Sequence, residues 1–376
     1  MAEKEEGEDI EDLLMKNIYN EKEIEKYTGI KTYKSIDYIS TKNYYKDKFN
    51  KGISKELIFH KKRIYSMDWL NNNSGTILAT GSSDNYIKIW DLNVVLNSSN
   101  KSSSYSLNPL LLINSHYETI NNIASRSNQD NQFICSTLDK HIKFFDIRNS
   151  SPNDIKAKEE IKHLKFNNSG TQFAFITKDG NLYLYDFGKS EEIQKFSFKS
   201  LVYDFVFNKE DDKIFLTSED GNVILINIKL SNNNKINITG SSFPLNTIDI
   251  DKKNKYFITG GTDGILISYN VEELMSCKTY KRSDQGIRQI MYNYDDRFIA
   301  TIYDGKNIDF FSTELDDHIY TIFTNNNQHF FKWNKKRNIL AYVSDDKKGE
   351  DMKNKKTDEG KFGIEGCAHF FILPNL

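Results

Sequence analysis

The sequence predicts an all-β fold: a seven-bladed propeller that is closed by an N-terminal strand and preceded by an N-terminal extension. Three observations lead to this prediction. A polar turn with an Asp, followed by an alternating apolar strand, recurs along the chain. Most recurrences are 40 to 43 residues apart. An additional strand stands before the first full unit. We therefore divide the chain into an extension at 1–53 and a propeller at 54–376.

The extension is acidic and is expected to be partly helical or disordered. Residues 1–30 carry ten carboxylates and four lysines, a net charge of −6, which leaves +4 for the remainder of a chain with a net charge of −2. Ile10, Leu13 and Leu14 follow helical spacing, so they are candidates for a partner-binding helix. A helix that rests on the propeller, or a disordered tail, remains an equal alternative. No structure is predicted for residues 31–50.

The first copy of the repeated motif is "GSSDNYIKIWDLN" at 81–93. Each later copy has a turn aspartate, then a strand that ends in an aromatic or apolar residue and a polar one. Four short alternating strands per unit are typical of a propeller blade. A Ser/Asn-rich insertion at 93–108 accounts for the one long interval, and a charged insertion is predicted at 346–366. The turn aspartates are Asp84, Asp139, Asp179, Asp220, Asp263 and Asp304.

Polar residues of the first unit predict a structural clamp that joins its strands. Asp84 accepts a hydrogen bond from His60, and His60 passes the interaction to Ser82. Ser82 in turn accepts from the indole N–H of Trp90. Such a chain satisfies several buried polar groups together.

The second unit predicts a shorter clamp. His116, Ser136 and Asp139 are present, but Phe145 stands where the first unit has Trp. Because Phe has no N–H to donate, the chain of hydrogen bonds is expected to stop at the serine. The regular spacing of all the turn aspartates indicates a structural role for them.

The last unit supplies three strands before the sequence ends, so its fourth strand must come from elsewhere. The segment "KELIF" at 55–59 is the only predicted strand without a blade of its own. We expect it to complete the last blade and close the ring, which removes exposed sheet edges.

No pattern in the sequence predicts catalysis, a cofactor or a metal. The seven histidines have no metal-ligand spacing, and the three cysteines form no Cys-x-x-Cys pair. The near-neutral charge lacks the strongly basic footprint of a nucleic-acid-binding domain. Apolar runs are shorter than a membrane span, and no membrane association is expected.

The Trp-Asp pair at 90–91 carries a family resemblance. The chain resembles the WD40-repeat family, whose blades end in this pair, although the other copies read Phe-Asp, Tyr-Asp, Ile-Asn and Tyr-Asn. Within that family, "ELIFHKKRIYSMDW" at 56–69 and "KYFITGGTDG" at 255–264 are similar to the WD40 subunits of THO complexes. The "VEEL" at 271–274 and the final "LPN" strand fit the same group.

The resemblance implies a function. THO subunits of this group are non-catalytic scaffolds of the THO (TREX) complex, which couples transcription to messenger RNA packaging and export from the nucleus. The implied partners are the large helical THO subunits and, through the complex, a DEAD-box RNA helicase and an export adaptor. Messenger ribonucleoprotein is contacted only indirectly.

Two other functions remain as alternatives. The segment "FFDIR" at 144–148 resembles the box by which some propellers dock on a cullin-RING ubiquitin ligase, with Arg148 as the charged contact. Under this alternative, the chain is a substrate receptor of that ligase. A propeller that binds RNA directly is the third possibility, against which the mild charge of +4 outside residues 1–30 argues.

Overall fold

The structure is a computed structural model, and it describes residues 35–97, 108–114, 118–148, 154–229, 235–324, 328–344 and 366–374. The chain forms two compact units, Met1–Asn50 and Lys51–Leu376.

The described part of the first unit is a helix, Ser35–Asn50, where no structure is predicted from the sequence. Its residues are mostly polar and show no apolar stripe, so hydrophobic periodicity gives no signal there. Side chains one turn apart contact each other: the Lys42 ammonium donates to the Tyr38 hydroxyl at 3.3 Å, and Lys48 lies over the Tyr44 ring at 5.3 Å. The helix expected around Leu13 lies outside the described residues.

The second unit consists of seven four-stranded antiparallel sheets, which confirms the predicted seven-bladed propeller. The chain enters it through β1 (Ile53–His60) and then builds the blades in sequence. The strands of the first three blades are β2 (Ile64–Trp69), β3 (Ile77–Ser82), β4 (Ile87–Asp91), β5 (Leu111–Ile113); β6 (Ile120–Ser125), β7 (Gln132–Thr137), β8 (His141–Asp146), β9 (Asp154–Lys156); and β10 (Ile161–Phe166), β11 (Gln172–Thr177), β12 (Leu182–Asp186), β13 (Glu191–Phe196).

The remaining blades repeat the pattern. Their strands are β14 (Val202–Phe207), β15 (Lys213–Ser218), β16 (Asn222–Asn227), β17 (Lys235–Thr239); β18 (Leu245–Ile250), β19 (Tyr256–Gly261), β20 (Ile265–Asn270), β21 (Ser276–Lys281); β22 (Ile287–Tyr292), β23 (Phe298–Tyr303), β24 (Asn307–Ser312), β25 (Asp317–Phe323); and β26 (Gln328–Trp333), β27 (Ile339–Ser344), β28 (Gly366–Ile372). The first strand of each blade contacts the first strand of the next, all the way round the ring.

The strand β1 completes the seventh blade. It pairs antiparallel with β28 from Ile53 opposite Ile372 to His60 opposite Gly366, with an irregularity after Ile58. The sheet order is β1, β28, β27, β26, so the first strand of the propeller is the outer strand of its last blade. The expected closure is confirmed.

Apolar side chains fill the space between neighbouring blades. The junction of the seventh and first blades holds a cluster that includes Leu57, Trp69, Trp90 and Phe370, all buried. Burying a large apolar side chain stabilises a fold by roughly 1.5–3 kcal/mol, so each blade depends on its neighbours for its stability.

The insertion after the first blade's third strand starts with a short helix, Asn93–Asn97, which the sequence pattern did not indicate. The side chains of Val95 and Leu96 are buried, and Lys55 of β1 donates a hydrogen bond to the carbonyl of Val95. The start of the insertion therefore packs against the propeller.

The connections lie at two opposite ends of the propeller because the strands of each blade alternate in direction. We call the end with the second-to-third-strand turns the Asp-turn end. The other end carries the loops between first and second strands, and we call it the inner-loop end. Its loops are residues 70–76, 126–131, 167–171, 208–212, 251–255, 293–297 and 334–338.

Hydrogen bonds join neighbouring inner loops at all seven junctions, so they form a closed belt. Asn168 donates its backbone N–H to the Asp211 carboxylate at 2.8 Å, and Asn334 donates to the carbonyl of Gly75 at 2.6 Å, between the seventh and first blades. The other junctions are joined by Asn131 to Asn71, Arg126 to Gly170, Asn254 to Glu210, Lys252 to Asp296 and Asn293 to Asn338.

Deleting residues 54–60 is expected to abolish the cooperative thermal unfolding transition, because the seventh blade loses its outer strand and the cluster around Trp90 loses Phe59. Circular dichroism during heating measures this. Glu56→Thr, which replaces an exposed residue of the same strand, is the control and should melt as the wild type does. An unchanged transition in the deletion variant would show that the ring does not depend on β1.

Candidate protein-interaction site

The clamp of the first blade is built around His60, the last residue of β1. The His60 ring is buried, its Nδ1 lies 3.0 Å from Asp84 Oδ2, and its Nε2 lies 2.8 Å from Thr80 Oγ1. The Trp90 indole N–H donates to the same Thr80 oxygen at 2.9 Å. The clamp therefore connects the outer strand of the seventh blade to three elements of the first blade.

In this series of hydrogen bonds, Thr80 occupies the position that was predicted for Ser82. The prediction that Ser82 joins His60 to Trp90 is therefore wrong. Thr80 and Ser82 are two residues apart and lie on the same face of β3. Trp90 pairs with Leu78, so its indole N–H reaches Thr80, the next residue on that face, and not Ser82. The Ser82 hydroxyl donates to the carbonyl of Lys62 at 3.1 Å and accepts the backbone N–H of Asp84 at 3.1 Å. Ser82 thus shapes the turn.

The contacts indicate a neutral His60. With Nδ1–H donating to Asp84, Nε2 accepts from the Thr80 hydroxyl, and the Thr80 oxygen accepts from Trp90. Burial lowers the pKa of His60 below its ordinary value of 6.5, although Asp84 opposes the shift. Burial alone would raise the pKa of Asp84, but hydrogen bonds from His60 and from backbone N–H groups outweigh it and lower that pKa.

The second blade contains no such chain among its described residues. Ser136 accepts from the Asn122 amide at 3.0 Å, and Asp139 accepts from the Thr137 hydroxyl. Phe145 stacks on Phe133 with ring centroids 5.1 Å apart. His116 lies outside the described residues.

The later turn aspartates are held by polar groups in or beside their own turns, and each stabilises the connection between a second and a third strand. Three of these turns continue with Gly at positive φ; a Cβ on Gly221 would lie 2.1 Å from the carbonyl oxygen of Ser241. The side-chain donors are Thr177 and Asn181 to Asp179, Ser218 and Ser200 to Asp220, Ser241 to Asp263, and Arg288 to Asp304.

A second set of polar residues, not anticipated from the sequence, caps the inner loops. In five blades an Asn or Asp directly follows the first strand and is buried, and its side-chain oxygen accepts backbone N–H groups of the loop or the next strand. The signal was present in the sequence as an apolar or aromatic residue followed by Asn or Asp at the repeat period. These residues are Asn167, Asn208, Asp251, Asn293 and Asn334.

The first strands also carry charged groups that bridge blades. Lys165 of the third blade lies 2.7 Å from Asp204 of the fourth, and Asp204 accepts the backbone N–H of Ile248 in the fifth at 3.2 Å. Burial raises the pKa of Asp249 to about 6, while the Tyr292 N–H of the next blade donates to it at 2.7 Å. These carboxylates fix the stagger between neighbouring blades.

Exposed apolar side chains at the Asp-turn end form the candidate interaction site. Phe323 is 79% exposed and Phe243 54% exposed, and both lie in or beside connections between blades. Aromatic side chains are enriched at protein interfaces. The other members of this candidate site are Tyr65, Leu138 and Leu201.

The remaining partner-binding candidates are Arg148, Ile10, Leu13 and Leu14. The Arg148 side chain is 61% exposed, and its guanidinium donates two hydrogen bonds of 3.0 Å to the Asp146 carboxylate. The hydrogen bond from Arg148 lowers the pKa of Asp146. Ile10, Leu13 and Leu14 lie outside the described residues.

Within the part of the chain that the structure describes, no three His, Cys, Asp or Glu residues are grouped as ligands for a metal ion. In the same part, none of the helices has the length and hydropathy needed to cross a bilayer.

Thr80→Val is expected to lower the free energy of unfolding by about 2 kcal/mol, because it leaves the Trp90 N–H and the His60 Nε2 without their buried partner. Urea denaturation measures this. The matched control is Thr301→Val in the sixth blade, since the buried Thr301 hydroxyl has no hydrogen-bond partner among the described residues. The control should not lower the free energy of unfolding, because it removes no hydrogen bond. Equal losses in both variants would contradict the clamp.

The stability that His60 contributes should decrease as the pH falls through 6.5. The pKa of His60 is lowered by folding, so below that pH the unfolded chain binds a proton that the folded chain resists. Urea denaturation at pH 7.5 and pH 5 should therefore show a smaller difference between wild type and His60→Gln at the lower pH. A difference that grows toward acid would indicate a charged His60 paired with Asp84.

The chain is similar to several known proteins. A model of the family described as NUP159/214 beta propeller matches residues 66–254, half of the chain. THO complex subunit 3 of Arabidopsis thaliana is 25% identical over 314 residues, which cover 83% of this chain and 95% of that protein.

Two further relatives match less completely. WD repeat-containing protein AAC3 of Dictyostelium discoideum is 23% identical over 66% of this chain, and the match covers 54% of its own length. DNA damage-binding protein CMR1 of Scheffersomyces stipitis is 31% identical over 29% of this chain and 22% of that protein. With half of its length matched by the family model and with all seven blades formed, the chain belongs to the NUP159/214 beta propeller family, within the WD40 β-propellers.

Proposed function

We propose that the chain is a non-catalytic scaffold subunit of a THO (TREX) complex in the nucleus, where it couples transcription to messenger RNA packaging and export. The observation that carries this proposal is the similarity to THO complex subunit 3, which extends over nearly the whole of that protein. The motifs "ELIFHKKRIYSMDW" and "KYFITGGTDG", which resemble the THO group, both lie within the propeller.

The fold is suited to this role because it is rigid and has large exposed ends. The closed ring and the belt of inner loops hold the blades in one arrangement. Connections at the Asp-turn end carry little of the core, so their side chains are available to partners. The partners under this proposal are the large helical THO subunits, and the helicase and export adaptor join through them.

Under this proposal the helical subunits dock on the candidate site at the Asp-turn end. Phe243 and Phe323 expose most of their rings to water, at a cost that a partner's apolar surface would remove. Tyr65 of the first blade lies at the same end of the propeller, with the Arg63 guanidinium 5.4 Å from its ring. Tyr and Arg are enriched at interface centres, and a helical subunit can pack its apolar stripe against such a face.

Affinity purification of the tagged chain from its own cells should recover the large THO subunits and the helicase. Phe243→Ser with Phe323→Ser is expected to reduce that recovery at least tenfold, since the helical subunits lose their apolar contacts. Leu110→Ser with Met275→Ser is the control; both residues are exposed at the inner-loop end, and recovery should stay at the wild-type level.

The same experiment separates the alternative of a cullin-RING substrate receptor. Recovery of a ligase adaptor that is lost on Arg148→Glu, without any THO subunit, would overturn the proposal. Equal recovery of THO subunits by both double variants would show that the Asp-turn end is not the docking face.

A further inference from the structure

The positive charge of the propeller is concentrated at one part of the inner-loop end. The three inner loops of the fifth, sixth and seventh blades, 251–255, 293–297 and 334–338, contain seven cations and three carboxylates, a net charge of +4. The inner loops of the first three blades are neutral in sum, and the loop 208–212 of the fourth has −2. The net charge of the propeller is small, but these three loops together are basic. We call the loops 251–255, 293–297 and 334–338 the basic sector.

The three loops of this basic sector are in direct contact. The Lys252 ammonium donates to the carbonyl of Tyr294 in the sixth blade at 2.5 Å and to the carbonyl of Lys335 in the seventh at 3.2 Å. Asn293 and Asn338 are joined at 2.9 Å. Charges on the loops therefore lie close together relative to a Debye length of about 8 Å, and they attract an anion jointly.

The carboxylates of the basic sector are turned toward its own backbone. Asp251 accepts the backbone N–H groups of Lys255 and Tyr256, and Asp296 accepts that of Lys252. Meanwhile the side chains of Lys252, Lys253, Lys255, Lys336 and Arg297 are exposed. Lys253 and Lys255 thus lie exposed on the sector, whereas Lys252 and Lys336 also donate to backbone carbonyls and Arg297 lies 3.5 Å from Asp295. The carboxylates hold the loops.

We propose that the basic sector binds the phosphate backbone of single-stranded RNA. Lysines on the fifth- and seventh-blade loops, with Arg297 on the loop between them, can follow a chain of phosphates, as in grooves that hold single strands. Tyr294 stands among them, partly exposed, with the Lys252 ammonium 5.6 Å from its ring centroid. An aromatic ring beside cations offers a nucleic-acid base a surface to stack on. This favours single-stranded RNA over an acidic peptide as the ligand.

This inference goes beyond the proposed function and does not depend on it. The charge placement alone carries it, and the test uses the isolated full-length chain without other subunits. Its failure would leave the docking of THO subunits at the opposite end untouched.

Fluorescence anisotropy with a labelled 20-nucleotide oligo(U), at several salt concentrations, tests the proposal. The variant Lys253→Gln, Lys255→Gln, Lys336→Gln is expected to bind at least tenfold more weakly at physiological salt. The slope of log K against log salt should fall by about 2, since each phosphate contact on a single strand contributes about 0.7. Gln keeps an N–H for the carbonyl of Asn72, to which Lys336 donates, so the fold is retained.

The matched control is Lys61→Gln, Lys178→Gln, Lys199→Gln, which removes the same charge from exposed lysines at the Asp-turn end. Its affinity should stay within about threefold of the wild type. The melting transitions of both variants report their folding. Equal weakening in both variants, no binding by the wild type, or equally tight binding of a labelled polyglutamate peptide would each overturn the proposal.

Discussion

The structure depends on the antiparallel pairing of β1 with β28, which joins the start of the propeller to its end. This pairing places Phe59 against Trp90, with stacked rings 4.2 Å apart, and edge-on to Phe370 at 5.9 Å. It also delivers His60 to Asp84 and Thr80 of the first blade. One strand thus supplies the sheet edge, part of the core and the clamp at the closing junction. Without it, two blades would have open faces.

The other junctions repeat the same physical solution without a closing strand. Apolar clusters fill the spaces between blades, buried carboxylates such as Asp204 bridge the first strands, and the belt joins the inner loops. Each blade is thereby held by both of its neighbours. The two ends of the propeller can bind different partners, because the Asp-turn end exposes apolar side chains and the basic sector exposes lysines.

Much of the fold could be predicted because the repeat combines spacing and residue type. The turn aspartates are visible as a recurring pattern, the closing strand as the one strand without a blade of its own, and Trp90 as part of the Trp-Asp pair. The relay was misassigned because Thr80 and Ser82 share one face of β3, and only the register with β4 decides between them. The helix Ser35–Asn50 has no apolar stripe to reveal it. The basic sector is not visible in the sequence, because its loops are about forty residues apart in the chain and only the fold brings them together.

Native-state hydrogen exchange at the backbone amides of β1 tests the dependence on the closing strand most directly. If β1 closes the ring, those of its amides that donate to β28 should exchange only through global unfolding, with the same free energy of opening as the β2 amides that donate to β3. Faster exchange of β1 by a local opening, while β2 stays protected, would show that the ring holds together without it.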